Sequence, residues 1–85
     1  MKVVVVYRDD KDYSRAVNDF LHDFKYQTGH DLETIDPYTA AGMLFCDTYG
    51  IVDYPAIIAM SDDSVMQNSW HGLPMPTISE VSYYV

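Results

Sequence analysis

Residues 49–60 read Tyr-Gly-Ile-Val-Asp-Tyr-Pro-Ala-Ile-Ile-Ala-Met, and this stretch carries the strongest structural signal in the chain. Gly50 is placed to end a preceding helix, because glycine takes the left-handed conformation just after a helix at little cost. The apolar run that follows Pro55, from Ala56 to Met60, is too short for a helix and is typical of a buried strand. The stretch therefore predicts the end of a helix, a short connection, a proline and a buried strand.

Upstream of this stretch, the sequence predicts a buried strand and an amphipathic helix. Val3 to Tyr7 is a run without polar alternation, the pattern of a strand that is covered on both faces. A polar loop from Arg8 to Asp12 follows, and its aspartates are predicted to cap the next helix. Apolar residues then recur at spacings of three and four up to Phe24, and Gly29 ends this helix.

A second strand and a second helix come next. Leu32 to Ile35 reads as a short strand. Asp36 is predicted to be the N-cap of a helix from Pro37 to Tyr49, because proline is favoured in the first helical turn.

The remaining residues predict a hairpin and a short last helix. Val65 to Trp70 reads as a strand that pairs with 56–60 across a Ser-Asp-Asp-Ser turn. Thr77-Ile78-Ser79-Glu80 is a capping box for the last helix. The chain is thus predicted to be a single α/β domain, residues 1–85, in the order βαβαββα, with a four-stranded mixed sheet flanked by helices.

Composition narrows the class of protein. The chain has 85 residues, of which 48% are hydrophobic, and its net charge is -8. This hydrophobic content is ample for a folded core, while the acidic balance disfavours nucleic acid and anionic membranes as partners. No stretch approaches the ~20 apolar residues of a membrane helix, and the N-terminal apolar run is too short for a signal peptide, so a cytoplasmic location is expected.

The stretch around Pro55 resembles the signature of the thioredoxin superfamily. In that superfamily a Tyr-Gly-Ile or Tyr-Gly-Val helix end leads into a cis-proline before the central antiparallel strand, and here Tyr49-Gly50-Ile51 precedes Pro55. The resemblance covers nearly the whole chain. It implies a thioredoxin-like fold with a cis bond between Tyr54 and Pro55, an uncommon geometry that serves a tight turn.

The segment that matches the family's redox centre contains no thiol. Lys11-Asp12-Tyr13-Ser14-Arg15 is similar to the Cys-Gly-Phe-Ser-Arg/Lys of monothiol glutaredoxins, with lysine in the place of cysteine. A shifted alignment would put Asp10 or Asp12 at that place instead. Because neither an amine nor a carboxylate can form the mixed disulfide of thiol exchange, we expect no oxidoreductase activity from this segment and no iron–sulfur cofactor held by it.

The resemblance also implies a groove beside the proline that needs no cysteine to work. In the family, the backbone before the cis-proline pairs with substrate as an added strand. The residues expected at this groove are Asp10, Lys11, Asp12, Tyr13, Tyr54, Pro55, Trp70, His71 and Gly72. Tyr13, Tyr54 and Trp70 are candidates for an aromatic rim. The first hypothesis is therefore a non-catalytic thioredoxin-like module that binds a peptide or protein partner at this groove.

Two other functions stay open at the level of the sequence. Cys46, the single cysteine, could be a redox site, although its place on the second predicted helix favours a buried thiol. The chain could instead be a regulatory or assembly subunit that associates through a sheet edge or a helix face. His22 and His30 have no partner at ligand spacing, so no metal site is expected.

Overall fold

The backbone forms a four-stranded mixed sheet. In the computed structural model, which describes residues 2–85, the spatial order of the strands is β2-β1-β3-β4. β1 and β2 are parallel, whereas β3 pairs antiparallel with both β1 and β4. The two central strands are buried along nearly their whole length, as their uninterrupted apolar runs predict. The strands are β1 (Lys2–Val6), β2 (Glu33–Ile35), β3 (Ala56–Met60) and β4 (Met66–His71).

Helices cover both faces of this sheet, because successive residues of β1 and β3 point to opposite sides and both sides are apolar. Val3 and Val5 pack on the side of Phe24 and Val81, whereas the even-numbered valines of β1 pack on the side of Cys46. The helices are α1 (Ser14–Thr28), α2 (Ala40–Tyr49) and α3 (Ile78–Ser82). We call the two sides the α1/α3 face and the α2 face. The predicted order βαβαββα and the mixed four-stranded sheet are confirmed.

Local signals for helix ends also match the structure. Gly29 and Gly50 follow α1 and α2 with φ angles of 77° and 67°, the left-handed conformation that favours glycine. Thr77 and Glu80 form both hydrogen bonds of the predicted capping box. None of the helices within residues 2–85 is long and apolar enough to cross a membrane.

The start of α1 differs from the prediction that the loop aspartates cap it. Tyr13 is the N-cap residue, with helical dihedral angles and no capping hydrogen bond from its side chain. The Asp10 carboxylate accepts a hydrogen bond from the Arg8 guanidinium at 2.9 Å, and Asp9 accepts one from the amide of Asn18 at 3.1 Å. The capping prediction was wrong because these carboxylates bond to side-chain donors rather than to the backbone of the helix.

The start of α2 also differs, because the helix begins at Ala40 rather than Pro37. Thr39 is the N-cap, and its Oγ1 accepts a hydrogen bond from the Gly42 N–H at 3.0 Å. Asp36 instead accepts from the Tyr38 N–H through its side chain at 2.9 Å, and through its carbonyl from the Thr39 N–H at 3.2 Å. Residues 36–39 therefore form a separate turn that places Tyr38 and the buried Pro37 ahead of the helix.

Candidate binding site at the cis-proline

The ends of three strands meet at the edge of the sheet that holds Pro55. Val6, the last residue of β1, pairs with Ala56 at the start of β3, and Ala56 pairs with His71 at the end of β4. The Gly72 N–H donates to the carbonyl of Pro55 at 2.7 Å. The Tyr54–Pro55 peptide bond is cis, as is the Leu73–Pro74 bond.

The loop between β1 and α1 lies at the same edge because it continues directly from β1. The hydroxyl of Tyr13 accepts a hydrogen bond from the Arg8 N–H at 3.1 Å, and the Ser14 N–H donates to the carbonyl of Lys11 at 3.0 Å. Lys11 and Asp12 are exposed at the tip of the loop. The loop therefore leaves the sheet at the end where Pro55 and Gly72 lie.

Tyr54 has a half-buried side chain and an unpaired backbone. Its ring packs on the α2 face with Cys46 and Ile51. Burial, then the hydrogen bond and charge interaction with the Cys46 thiol, and then the phenols of Tyr38 and Tyr13, together raise the pKa of the Tyr54 phenol to about 12. Within residues 2–85, the backbone N–H and C=O of Tyr54 form no hydrogen bond.

The structure does not place Trp70 in the expected aromatic rim. Trp70 pairs with Ile57 across the sheet and packs on the α1/α3 face, with its ring centroid 5.7 Å from that of Tyr84. Tyr54 packs on the opposite face. Tyr38 lines the same cavity as Tyr54, whereas Tyr13 packs, like Trp70, against the α1/α3 face. His71 stays exposed at the edge, with its Nε2 3.1 Å from the hydroxyl of Ser69.

Arg8 and Tyr38 are two site residues that the sequence prediction missed. The Arg8 guanidinium lies over the ring of Tyr38, 4.1 Å from its centroid, and makes the ion pair with Asp10 described above. Arg8 Nε is buried without a hydrogen-bond partner among the described residues. The available signal was a lone arginine directly after a buried strand, since ligands often bind at the carboxyl ends of strands in α/β sheets.

A cavity of about 520 Å³ opens beside Tyr54 on the α2 face. It lies between the turn at 36–39, the outer side of α2 and the connection that leads to Pro55. The lining residues are Pro37, Tyr38, Met43, Cys46, Asp47, Ile51, Val52 and Tyr54. Its lining is mostly apolar with one carboxylate. Among residues 2–85, no group of three His, Cys, Asp or Glu side chains is placed to hold a metal ion.

Cys46 is buried in α2 and only 6% of its surface is exposed. Because reagents reach a buried thiol only when the structure opens locally, we expect native protein to react with a disulfide reagent about 100-fold more slowly than protein unfolded in urea. The rate of thiol release, measured with and without urea, is the test. Equal rates would show an accessible thiol and would favour the redox hypothesis, while Cys46→Ser supplies the blank.

Comparison with solved structures finds a similar fold. Thioredoxin 1 from the thermophilic eubacterium Thermosipho africanus TCF52B superposes with a TM-score of 0.65, over 99% of this chain and 89% of that chain. The sequence identity is 18%, so this likeness concerns the fold alone. No protein-family model and no curated protein matches the sequence. The chain has a thioredoxin-like fold, in agreement with the resemblance carried by Tyr49-Gly50-Ile51 and Pro55.

Proposed function

We propose that this chain is a non-catalytic thioredoxin-like module that binds an extended segment of a protein partner beside Pro55. The observation that carries the proposal is the unpaired backbone N–H and C=O of Tyr54 at the edge where β3 begins. An extended peptide laid along this residue would satisfy both groups, which is the strand-addition mode of peptide recognition. Such binding depends on backbone hydrogen bonds and needs no cysteine.

The cavity on the α2 face supports a side-chain preference. Alternate side chains of an added strand point to the same side, so a side chain of the bound segment would reach the space beside Tyr54. Met43, Ile51 and Val52 line this space, and its volume of about 520 Å³ suits a large apolar or aromatic side chain. The backbone contacts would thus supply affinity and the cavity would supply selectivity.

The charges around the site favour a basic or neutral segment. Asp10 and Asp12 are exposed in the loop that follows β1, and Asp53 is exposed directly before Tyr54. Asp47 lines the cavity. With a net charge of -8, the chain would attract a basic partner over long range, and screening would lower the association rate as salt rises.

The absence of a usable thiol supports a role without redox chemistry. Lys11, in the place of the family's cysteine, is exposed but has no sulfur with which to form a mixed disulfide. Cys46 is buried in α2 rather than exposed at the start of α1. We therefore propose that the partner is bound rather than reduced or oxidised.

The test is binding of ¹⁵N-labelled protein to two pools of random heptapeptides, one rich in Lys and Arg and one rich in Asp and Glu. We expect the basic pool to shift the amide resonances of Tyr13, Tyr54, Ala56 and Gly72 at low salt, and the acidic pool to shift them little. Tyr54→Ala should weaken binding about tenfold by removing one wall of the cavity. Tyr26→Ala is the matched control, because Tyr26 is 87% exposed on α1.

Shifts clustered on the outer face of α1, around Arg15, Asp19 and His22, would remove the groove hypothesis. A second candidate, an assembly subunit, is favoured by the exposed apolar side chains of Met43 and Leu44 on α2. Resonances of α2 that shift with protein concentration, with no peptide added, would support that candidate instead.

A further inference from the structure

A second cavity lies on the opposite side of the sheet from Tyr54, where β4 meets α3. Its volume is about 390 Å³, and its lining residues are Asn68, Trp70, Ser79, Glu80, Tyr83 and Tyr84. Three of these six residues are aromatic and one is a carboxylate. None of them is basic. The two cavities therefore differ in composition. None of the residues that line the second cavity lines the cavity beside Tyr54.

The aromatic rings meet at steep angles and so form the walls of a corner. The rings of Trp70 and Tyr84 are inclined at 71° with centroids 5.7 Å apart, and those of Tyr83 and Tyr84 at 79° with centroids 5.1 Å apart. In each edge-to-face pair the edge of one ring lies against the face of the other, so the remaining faces of the three rings are turned in different directions. Such an arrangement suits a cation, because the face of an aromatic ring carries the negative part of its quadrupole.

Two of the three walls are held in place by the fold. Trp70 and Tyr84 are partly buried against the core of the α1/α3 face. The amide of Asn68 donates to the hydroxyl of Tyr84 at 3.2 Å, and the Tyr84 N–H donates to the carbonyl of Val81 at 3.0 Å. Tyr83 is 77% exposed and forms the outer wall. The corner is therefore largely formed before any ligand arrives.

The carboxylate of Glu80 places a negative charge at this corner. Its Oε1 accepts hydrogen bonds from the hydroxyl of Thr77 at 2.9 Å and from the Thr77 N–H at 3.3 Å. The hydroxyl bond, then the backbone bond, lowers the pKa of Glu80 from its usual 4.5, so the group is ionised at neutral pH. The Trp70 side chain also donates toward this carboxylate and lowers its pKa in the same direction. Among residues 2–85, the cation over an aromatic ring is Arg8, at Tyr38, and no basic residue lines this second cavity.

We propose that the corner formed by Trp70, Tyr83, Tyr84 and Glu80 binds an alkylated ammonium cation. The rings would receive its N-methyl groups and its charge would face Glu80. An alkylated ammonium suits this site better than a bare one because it sheds its water more easily on entering an aromatic space. The cation could belong to a small molecule or to a methylated lysine of a protein, and the two sources share this chemistry.

The test uses the fluorescence of Trp70, the single tryptophan of the chain. The probes are choline, its neutral isostere 3,3-dimethylbutanol, and N-acetyl-trimethyllysine methylamide. We expect saturable changes with both cations and binding of the neutral isostere that is at least about tenfold weaker. Tighter binding of the trimethyllysine probe than of choline would indicate a lysine of a protein as the source, and the reverse would indicate a small molecule.

Two variants separate the contribution of the Glu80 charge to cation binding from the contribution of the aromatic rings. Glu80→Gln keeps the capping box, since glutamine also serves at that position, but removes the charge. Tyr83→Leu keeps an apolar wall but removes the π-face. Each should weaken binding of choline about fivefold, whereas Tyr26→Leu, on exposed α1 surface, should leave it unchanged. Far-UV circular dichroism confirms that each variant is folded.

Three results would overturn the proposal. One is equal binding of choline and 3,3-dimethylbutanol, which would indicate an apolar pocket without cation selectivity. Another is the lack of any saturable change in Trp70 fluorescence with either cation. The third is unchanged choline binding in both Glu80→Gln and Tyr83→Leu, which would place the cation elsewhere on the chain.

Discussion

Gly42→Ala is expected to lower the free energy of unfolding by about 3 kcal/mol, although glycine to alanine usually stabilises a helix by about 1 kcal/mol. A Cβ atom on Gly42 would overlap the carbonyl oxygen of Asp36 and lie 2.9 Å from Oγ1 of Thr39. Neither the Asp36 carbonyl nor the Thr39 hydroxyl can move without losing hydrogen bonds or packing contacts. The Asp36 carbonyl accepts hydrogen bonds from the N–H and the hydroxyl of Thr39, at 3.2 and 2.9 Å, and Pro37 beside it is fully buried.

Urea denaturation of the two proteins measures this difference. The matched control is the reverse change at the neighbouring exposed residue, Ala41→Gly, which should cost about 1 kcal/mol through helix propensity alone. The test depends on the sign of the change in the free energy of unfolding that Gly42→Ala causes. A Gly42→Ala protein that is as stable as the parent, or more stable, would mean that the turn at 36–39 does not pack against α2 as described.

Phe24→Ala is expected to cost about 3 to 5 kcal/mol, the largest effect of a single substitution that we predict. Phe24 is fully buried in α1, where it packs with Val3 and Val5 of β1 and with the ring of Phe20, whose centroid lies 5.8 Å away. Alanine would remove the ring and leave a cavity between the helix and the sheet. An 85-residue domain has a free energy of unfolding of only about 4 to 13 kcal/mol, so Phe24→Ala would remove a large part of it.

Thermal and urea unfolding of Phe24→Ala supply the measurement, and Phe24→Leu supplies a milder variant if the alanine protein does not fold. Tyr26→Ala, an aromatic truncation at an exposed site of the same helix, should change stability by less than about 0.5 kcal/mol. Similar losses for Phe24→Ala and Tyr26→Ala would contradict the assignment of the core on the α1/α3 face.

The candidate site was predictable only where it depends on strand order. Pro55 and Gly72 are hydrogen-bonded and the loop after β1 starts at the same end of the sheet, because all three end or begin neighbouring strands, and the thioredoxin-like order of elements implies that arrangement. The resemblance implies that Trp70, His71 and Gly72 lie at one side of the groove, because the fold brings their loop to Pro55. A strand exposes alternate residues on opposite faces, and the pairing of Trp70 with Ile57 assigns it to the α1/α3 face.

Local sequence patterns were sufficient to predict the order of the strands and helices along the chain and several of their ends. The uninterrupted apolar runs of β1 and β3, the helical spacing of α1 and the glycines at 29 and 50 act through neighbours a few residues away, so local patterns were enough to read them.

Contacts between distant residues were decided only by the tertiary structure. Arg8 lies over Tyr38, which is remote in sequence, and Asn68 bonds to Tyr84. The N-cap of α2 at Thr39 also depends on tertiary packing, because the burial of Pro37 holds the turn at 36–39 in place ahead of the helix. No local pattern encodes such pairs, since each depends on how the helices and the sheet pack, and that packing exists only in the folded chain.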